Sequence, residues 1–214
     1  MAAGKIDKDL LAHVCRRYQL DIDVTSACQL IINTVSAEFS IHPGATGFRL
    51  MDLPPEKTVK EMGFTLHLHS FNPDVFNACA AEVAVFRPIQ HATIEGYLNG
   101  FIDLVAEHDG RFFIVDYKTN YLGTAPGDYS RNSIMETMRH HNYGLQYLLY
   151  TVVIHRYLST FVPRYRYRTH FGGVLYPFVR GIDPRIPGHS IFADIPPESV
   201  ITGLDHCLGR ASHG

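Results

Sequence analysis

The sequence predicts an α/β fold with helices flanking a central sheet, and three observations predict it. The first forty residues carry apolar positions at helical spacing, the middle carries two extended apolar runs around an Asp-Gly pair, and a long helical pattern separates those runs from another buried strand. With 214 residues, 46% apolar and 12% aromatic, the chain has material for one sizeable core, so residues 1–214 read as a single domain rather than a disordered chain. The longest apolar runs, such as 147–154, fall short of the ~18 residues a membrane span needs. No early apolar stretch follows a basic start, so the reading is a soluble, cytoplasmic protein that engages no membrane. Nineteen Lys and Arg against 21 Asp and Glu exclude the global positive field of a free nucleic-acid binder, although local patches survive such a balance. Cys15, Cys28, Cys79 and Cys207 form no C-x-x-C pair, which excludes a zinc knuckle or thioredoxin-type site and leaves reduced core thiols.

Within residues 1–45, a helical packing segment, Leu10, Leu11, Val14 and Tyr18 form one stripe. Leu30, Ile31, Val35 and Phe39 form another, after the cap candidates Thr25 and Ser26. Extended character follows at 48–53, then a Pro54-Pro55 break and a strand at 59–68. Residues 77–85 suit a short helix between Asn72-Pro73 and Pro88. Runs at 101–106 and 112–117 flank Asp109-Gly110, a hairpin signal. A polar loop at 119–133 leads to one helical pattern over about 134–161, ended by Pro163. Residues 171–179 read as a buried strand, and 197–208 as a short helix after a Pro-rich loop.

A two-residue turn at Asp109-Gly110 pairs residues whose numbers sum to 219, which sets Asp103 opposite Asp116 with Cβ atoms ~4.5–5.5 Å apart. Lys118 shares their face with Phe101, Val105, Phe112 and Ile114, while Ile102, Leu104, Val115 and Tyr117 take the other face. Apolar neighbours on both faces imply central strands. Two facing carboxylates in such a setting repel unless a cation joins them, and an all-oxygen site suits Mg²⁺ or Mn²⁺ better than zinc. A lysine alongside can position a nucleophile or offset charge on a phosphate. The plainer reading makes either aspartate an edge-strand charge paired with Lys118 or an arginine.

The stretches G-Y-L-N-G-F-I-D-L-V (96–105) and F-I-V-D-Y-K-T-N-Y-L-G (113–123) resemble the RecB-type nuclease domain of exodeoxyribonuclease V beta subunits, within the PD-(D/E)xK nuclease superfamily. So do Q-Y-L-L-Y (146–150), similar to the Q-x3-Y motif, and F-G-G-V-L-Y (171–176) with Arg180-Gly181 after it. The resemblance implies a mixed central sheet flanked by helices and Mg²⁺-dependent hydrolysis of DNA by exo- or endonucleolytic cutting in recombinational repair. It implies Asp103, Asp116 and the Tyr117 carbonyl as metal ligands, Asp116 and Lys118 as catalytic, and Gln146 and Tyr150 as supports of site and DNA. E-M-G-F-T-L (61–66) looks like the family's E-M-E-F-Y-L segment, which carries the upstream site glutamate onto Glu61. Full-length kin work with RecC and RecD.

The family's histidine segment, a G-T-F-L-H-like stretch, is not found, so the chain is read as starting after it. Gly63 to His67 mimics its lettering, but His67 lies ~20 Å along a strand from Glu61. In that other alignment His67 is the ligand and Glu82 the later acid. His140, His141 and His155 have no metal-ligand spacing. Cys207, standing alone, implies no iron–sulfur cluster, and no G-x-x-x-x-G-K-[ST] motif marks an ATP site. Arg164, Arg166 and Arg168, alternating with tyrosines, form either a basic strand face that touches phosphates or a solvated edge. Two alternatives stay open: a nuclease-fold remnant that docks partners or DNA, and another repair or restriction nuclease of the superfamily.

Overall fold

The computed structural model describes residues 6–42, 47–68, 71–90 and 95–209. Aspartates open both N-terminal helices. Asp7 Oδ1 accepts from Leu10 N (2.9 Å) to start α1 (Lys8–Arg17), and Asp23 Oδ1 accepts from Ser26 N (2.9 Å) to start α2 (Val24–Ser36). The cap of α2 is therefore Asp23 rather than Thr25 or Ser26, and Ser26 Oγ donates to it (2.6 Å). Leu10, Tyr18 and Ile31 are exposed while Cys15, Ala27, Cys28 and Thr34 are buried, so both helices turn inward a face rotated from the predicted stripes.

Residues 48–53 are not a strand. Phe48 makes one bridge to Phe39 and the chain then winds through 3-10 turns at Leu50–Asp52 and Pro55–Lys57, because two prolines remove ladder donors there. Then come β1 (Thr58–Leu68) and α3 (Pro73–Ala80), which starts four residues earlier than predicted because Asn72 Oδ1 caps it from Asp74 N (2.9 Å). The hairpin β2 (Gly96–His108) and β3 (Arg111–Val115) follows. The predicted single helix is two, α4 (Arg131–His140) and α5 (Tyr143–Phe161), separated at Asn142 (φ 50°). Asn tolerates this left-handed turn, and its side chain is pinned there, accepting from Arg87 N (3.0 Å) and donating to Arg87 O (3.2 Å). A one-turn α6 (Tyr167–His170), β4 (Phe171–Pro177), β5 (Ile191–Asp194) and α7 (Glu198–Cys207) complete the chain. β5 was not expected from the sequence.

The sheet is mixed and five-stranded, in the order β1-β2-β3-β4-β5, with β3 and β4 parallel and every other pair antiparallel. α4, α5 and α6 form the crossover that a parallel pair requires. One face carries Val105, Ile114, Val174 and Tyr176 against α3, α4, α5 and α7, and the other carries Leu104, Phe113, Val115 and Leu175 against the segment after α2. Every residue of β4 is buried, as a central parallel strand covered on both sides should be. Among the described residues no helix is long and apolar enough to cross a membrane.

Candidate active site

The Asp-Gly turn forms as its residue types dictate. Asp109 (φ 48°) and Gly110 (φ 72°) both take positive φ, the backbone of a type I′ hairpin that follows the twist of the strands. Residues pair from His108↔Arg111 to Leu104↔Val115, the predicted register. Asp103 and Asp116 stand next in that register, but the ladder stops one step short of them. Asp116 N instead donates to Leu175 O of β4 (3.1 Å), and Tyr117 N donates to the Asp103 carboxylate at Oδ2 (2.9 Å). The Asp103 side chain thus accepts where the next ladder carbonyl would, which fixes it at the C-terminal end of β3.

The faces depart from simple alternation at this point. Ile102 joins the α5-side core and Leu104 the opposite one, although two residues apart in one strand, and Phe101 is exposed. The break coincides with Glu61 on β1, whose left-handed backbone (φ 50°) interrupts the β1–β2 ladder between Lys60↔Leu104 and Met62↔Ile102. Glu61 is exposed and occupies the register position opposite Asp103. Glu61, Asp103 and Asp116 therefore come from successive strands at one level of the sheet.

Asp116 and Lys118 are 3% and 7% exposed and form an ion pair between Oδ1 and Nζ. The plainer reading of the sequence is thus realised in part, since Lys118 does pair with Asp116. Burial nevertheless pushes the Asp116 carboxyl above the ordinary carboxylate range; the Lys118 ammonium opposes that push and the Asp103 charge adds to it. Lys118 Nζ also donates to Gln146 Oε1 (2.8 Å) and lies 3.9 Å from the Tyr143 ring centroid and 4.9 Å from that of Tyr176. An amide, a carboxylate and two aromatic faces hold the ammonium. On α5, Gln146 Nε2 donates to Tyr150 Oη (3.0 Å), joining the predicted i, i+4 pair, and Tyr176 Oη donates to Gln146 Oε1 (3.3 Å). Burial, first of all causes, raises the phenols of Tyr150 and Tyr176, so both keep their protons; Tyr176 donates to Gln146 and Tyr150 accepts from it. Tyr117 is pushed up to about 12 by burial and by Asp103.

The cage residues Tyr143 and Tyr176 were not found from the sequence, nor was Asn120, which accepts from Tyr143 Oη (3.2 Å) and bonds His141 Nε2 (3.3 Å). One signal existed: Tyr143 precedes Gln146 by three residues, one helical turn. It had no force without the helix start at Tyr143.

Other candidates lie elsewhere. His67 stacks on Tyr97 (centroids 4.6 Å), its partner six positions along β1 from Glu61, and Glu82 is exposed in the turn after α3. His141 stacks on Tyr143, and His155 packs on Tyr165 and Tyr167. The Arg164–Arg168 stretch is no strand: Arg164 sits at φ 56°, Arg168 lies in α6, and its Nε binds Glu198 Oε2 (2.9 Å). Cys207 does not stand alone, since its Sγ lies 3.9 Å from that of Cys79. Burial and that neighbour push the Cys207 thiol up to about 11.

The residues at the hairpin suit a hard divalent cation. Their donors are oxygens, and a positive charge shared with Asp116 would offset the push that the Asp103 charge adds to burial there. Among the described residues no group of three or more His, Cys, Asp or Glu side chains is arranged to hold a metal.

Comparison with known proteins gives a family and a set of relatives. A family model described as the PD-(D/E)XK nuclease superfamily matches residues 52–179. The RecBCD enzyme subunit RecB of Haemophilus influenzae is 40% identical over 162 residues, 74% of this chain and 13% of that protein. RecB of Escherichia coli is 42% identical over 118 residues, 55% of this chain and 10% of that protein. RecB of Mycolicibacterium smegmatis is 44% identical over 126 residues, 54% of this chain and 12% of that protein. The chain therefore spans a small part of the length of these relatives.

Proposed function

Because this chain belongs to the PD-(D/E)XK nuclease superfamily, we propose that it is a deoxyribonuclease domain of RecB type, cutting DNA phosphodiesters in recombinational repair with Mg²⁺, or Mn²⁺ in its place. The observation that carries the reading is the caged Lys118 beside a buried Asp116 and an anchored Asp103, at the end of a central strand. Asp103, Asp116 and the Tyr117 carbonyl would hold the cation, with Glu61 as a further acid at the same level. A bound dication supplies Lewis-acid chemistry, polarising a phosphoryl oxygen and the attacking water.

The chain's own groups do the rest. Lys118 presents a fixed positive charge to the reacting phosphate, and its cage of amide, carboxylate and two rings spares the reorganisation that a free lysine would undergo at the moment of reaction. Gln146 accepts from Lys118 and donates to Tyr150, so it sets the aim of the ammonium. Tyr150 and Tyr176, both buried and near enough to feel the Asp116 charge, keep water from that side of the carboxylate. The relatives are named as subunits of a RecBCD enzyme, and partners of RecC and RecD type, together with DNA, are proposed here on that footing.

The test is cleavage of linear DNA by the purified chain with Mg²⁺ or Mn²⁺. Cutting that a chelator stops, and that Asp116→Ala and Lys118→Ala each remove, supports the reading. A folded chain at saturating metal that leaves DNA intact would leave a docking remnant instead.

A further inference from the structure

We infer that a cavity next to the aspartate–lysine site seats a backbone phosphate of the DNA strand, and that Arg180 is the residue that binds it. This rests on the nuclease reading and adds a substrate contact to it. The cavity, about 480 Å³, lies between α2 at Gln29 and Asn33, the loop at 123–125, and the turn at 180–185. Its size is within the ~300–1,000 Å³ common for ligand sites. The backbone ties it to the site: Val179 N donates to Lys118 O (2.9 Å), and Arg180 Nε donates to Thr119 O (2.9 Å). One nitrogen thus anchors the guanidinium to the residue after Lys118. Among the described residues its two terminal nitrogens have no hydrogen-bond or carboxylate partner.

The charges of the lining point to an anion. The lining holds one carboxylate, Asp183, against Arg180 and Arg185. Asp183 is already matched, because Arg185 Nε and Nη2 bind its two oxygens at 2.8 and 2.6 Å. That leaves the positive charge of Arg180 unmatched in a cavity whose remaining lining is uncharged, with Gln29, Asn33 and Thr124 as polar groups beside Tyr129, Ile182 and Pro184. A guanidinium held by one edge presents its other donors as a fork, the geometry that suits phosphate. On this inference a strand with its scissile phosphate at Lys118 would bring a neighbouring phosphate to Arg180, whose guanidinium is tied to the carbonyl of the next residue, Thr119. Such a contact fixes the strand's position without reading its bases.

The experiment measures DNA binding by the metal-free chain, through anisotropy of labelled single-stranded and duplex oligonucleotides over a range of salt, and KM and kcat with metal present. Arg180→Ala should weaken binding roughly tenfold and raise KM without lowering kcat. The slope of log affinity against log salt should shrink by about 0.7 for a single strand or 0.9 for duplex, equally for unrelated sequences. Arg180→Gln retains an N–H for the Thr119 carbonyl but no charge, so it separates phosphate binding from loop anchoring and should show the same loss. Asp183→Asn frees Arg185 and should tighten binding. Arg180→Gln with wild-type affinity and salt slope would overturn the inference, as would an Asp183→Asn chain that binds no better. The two readings fail separately. If wild type cuts and Asp116→Ala does not, unchanged Arg180 variants sink only the phosphate seat; the binding arm reports on Arg180 even where nothing is cut.

Discussion

Replacing Gln146 by Ala asks whether the cage around Lys118 aims the ammonium or merely surrounds it. The substitution removes the 2.8 Å bond from Lys118 Nζ and strips partners from Tyr150 (3.0 Å) and Tyr176 (3.3 Å). A hydrogen bond to a charged group contributes about 1.5–3 kcal/mol, so loss of aim should lower kcat by roughly 10- to 100-fold. The Asp116 ion pair and the two ring faces remain, so the lysine stays near the site and the loss should stop short of that in Lys118→Ala. Gln146 does not line the cavity at Arg180, which predicts little change in KM. Gln146→Glu keeps an acceptor for the ammonium but sets a third carboxylate beside Asp116 and Asp103, and should recover less than half of the loss. The assay is steady-state cleavage with metal saturating, alongside thermal melting of each variant. A folded Gln146→Ala chain whose kcat stays within threefold of wild type, or whose whole defect lies in KM, would refute the aiming role.

Two further predictions concern stability. Tyr147 Oη donates to Asp194 Oδ2 (2.8 Å), yet burial, the leading cause, raises the Asp194 carboxyl above its ordinary value. A raised folded-state value means that this group favours the native state below its unfolded pKa, and that the benefit is lost as pH rises through the folded one. Asp194→Asn keeps an acceptor for Tyr147 and removes the charge, so it should stabilise the chain at pH 7 by on the order of 1 kcal/mol, roughly 2–4 °C in Tm. Melts should show that gain vanishing toward pH 4, and a gain independent of pH would contradict the assignment. Gly110→Ala meets open space but forces a left-handed backbone at φ 72°, at a cost of about 1 kcal/mol, whereas a Cβ on Gly123 (φ 147°) would also lie 2.0 Å from Asp128 Oδ2. Urea midpoints should therefore fall further for Gly123→Ala than for Gly110→Ala; the reverse order would show that the loop at 123–128 yields freely.

The parts of the site that were legible are those that one short segment determines. A two-residue turn with positive φ at both positions leaves a single register, so the pairs that sum to 219 follow from counting. What the count cannot supply is where the ladder stops. That depends on β4, whose carbonyl at Leu175 takes the Asp116 amide and draws the chain off β2. The cage was illegible for the same reason, since Tyr143 and Tyr176 lie 25 and 58 residues beyond Lys118 and meet it only when α5 packs across the sheet and β4 runs beside β3. Asn142 hid the start of α5 because a single left-handed residue leaves the apolar spacing on either side looking continuous. β5 escaped notice because four residues, Ile191–Asp194, are too few for alternation to register. The arginines at 164–168 misled in the opposite direction: alternation of Arg and Tyr imitates a strand, but Tyr167 is buried in α6, with its Oη donating to Pro196 O (2.8 Å).

The electrostatics of Asp116 support the proposed reading of the buried pair as a functional site. An ion pair that existed to hold the fold would draw its carboxyl below the ordinary range, as Arg185 draws exposed Asp183 down to about 2. At Asp116 burial outweighs Lys118, and Asp103 pushes the same way as burial. Taking two charges out of water commonly costs more than their attraction returns, and apolar residues of similar volume often serve a core at least as well. The neighbours here, Ile114, Val115 and Leu175, are fully buried and would accept such a replacement. A second carboxylate, held by the Tyr117 amide, adds its charge to that cost. On the proposed reading, a cation shared between the two acids would offset that cost, with the ammonium held by Gln146 and two rings. An unfavourable resting site that a ligand relieves is how a binding centre differs from a structural salt bridge.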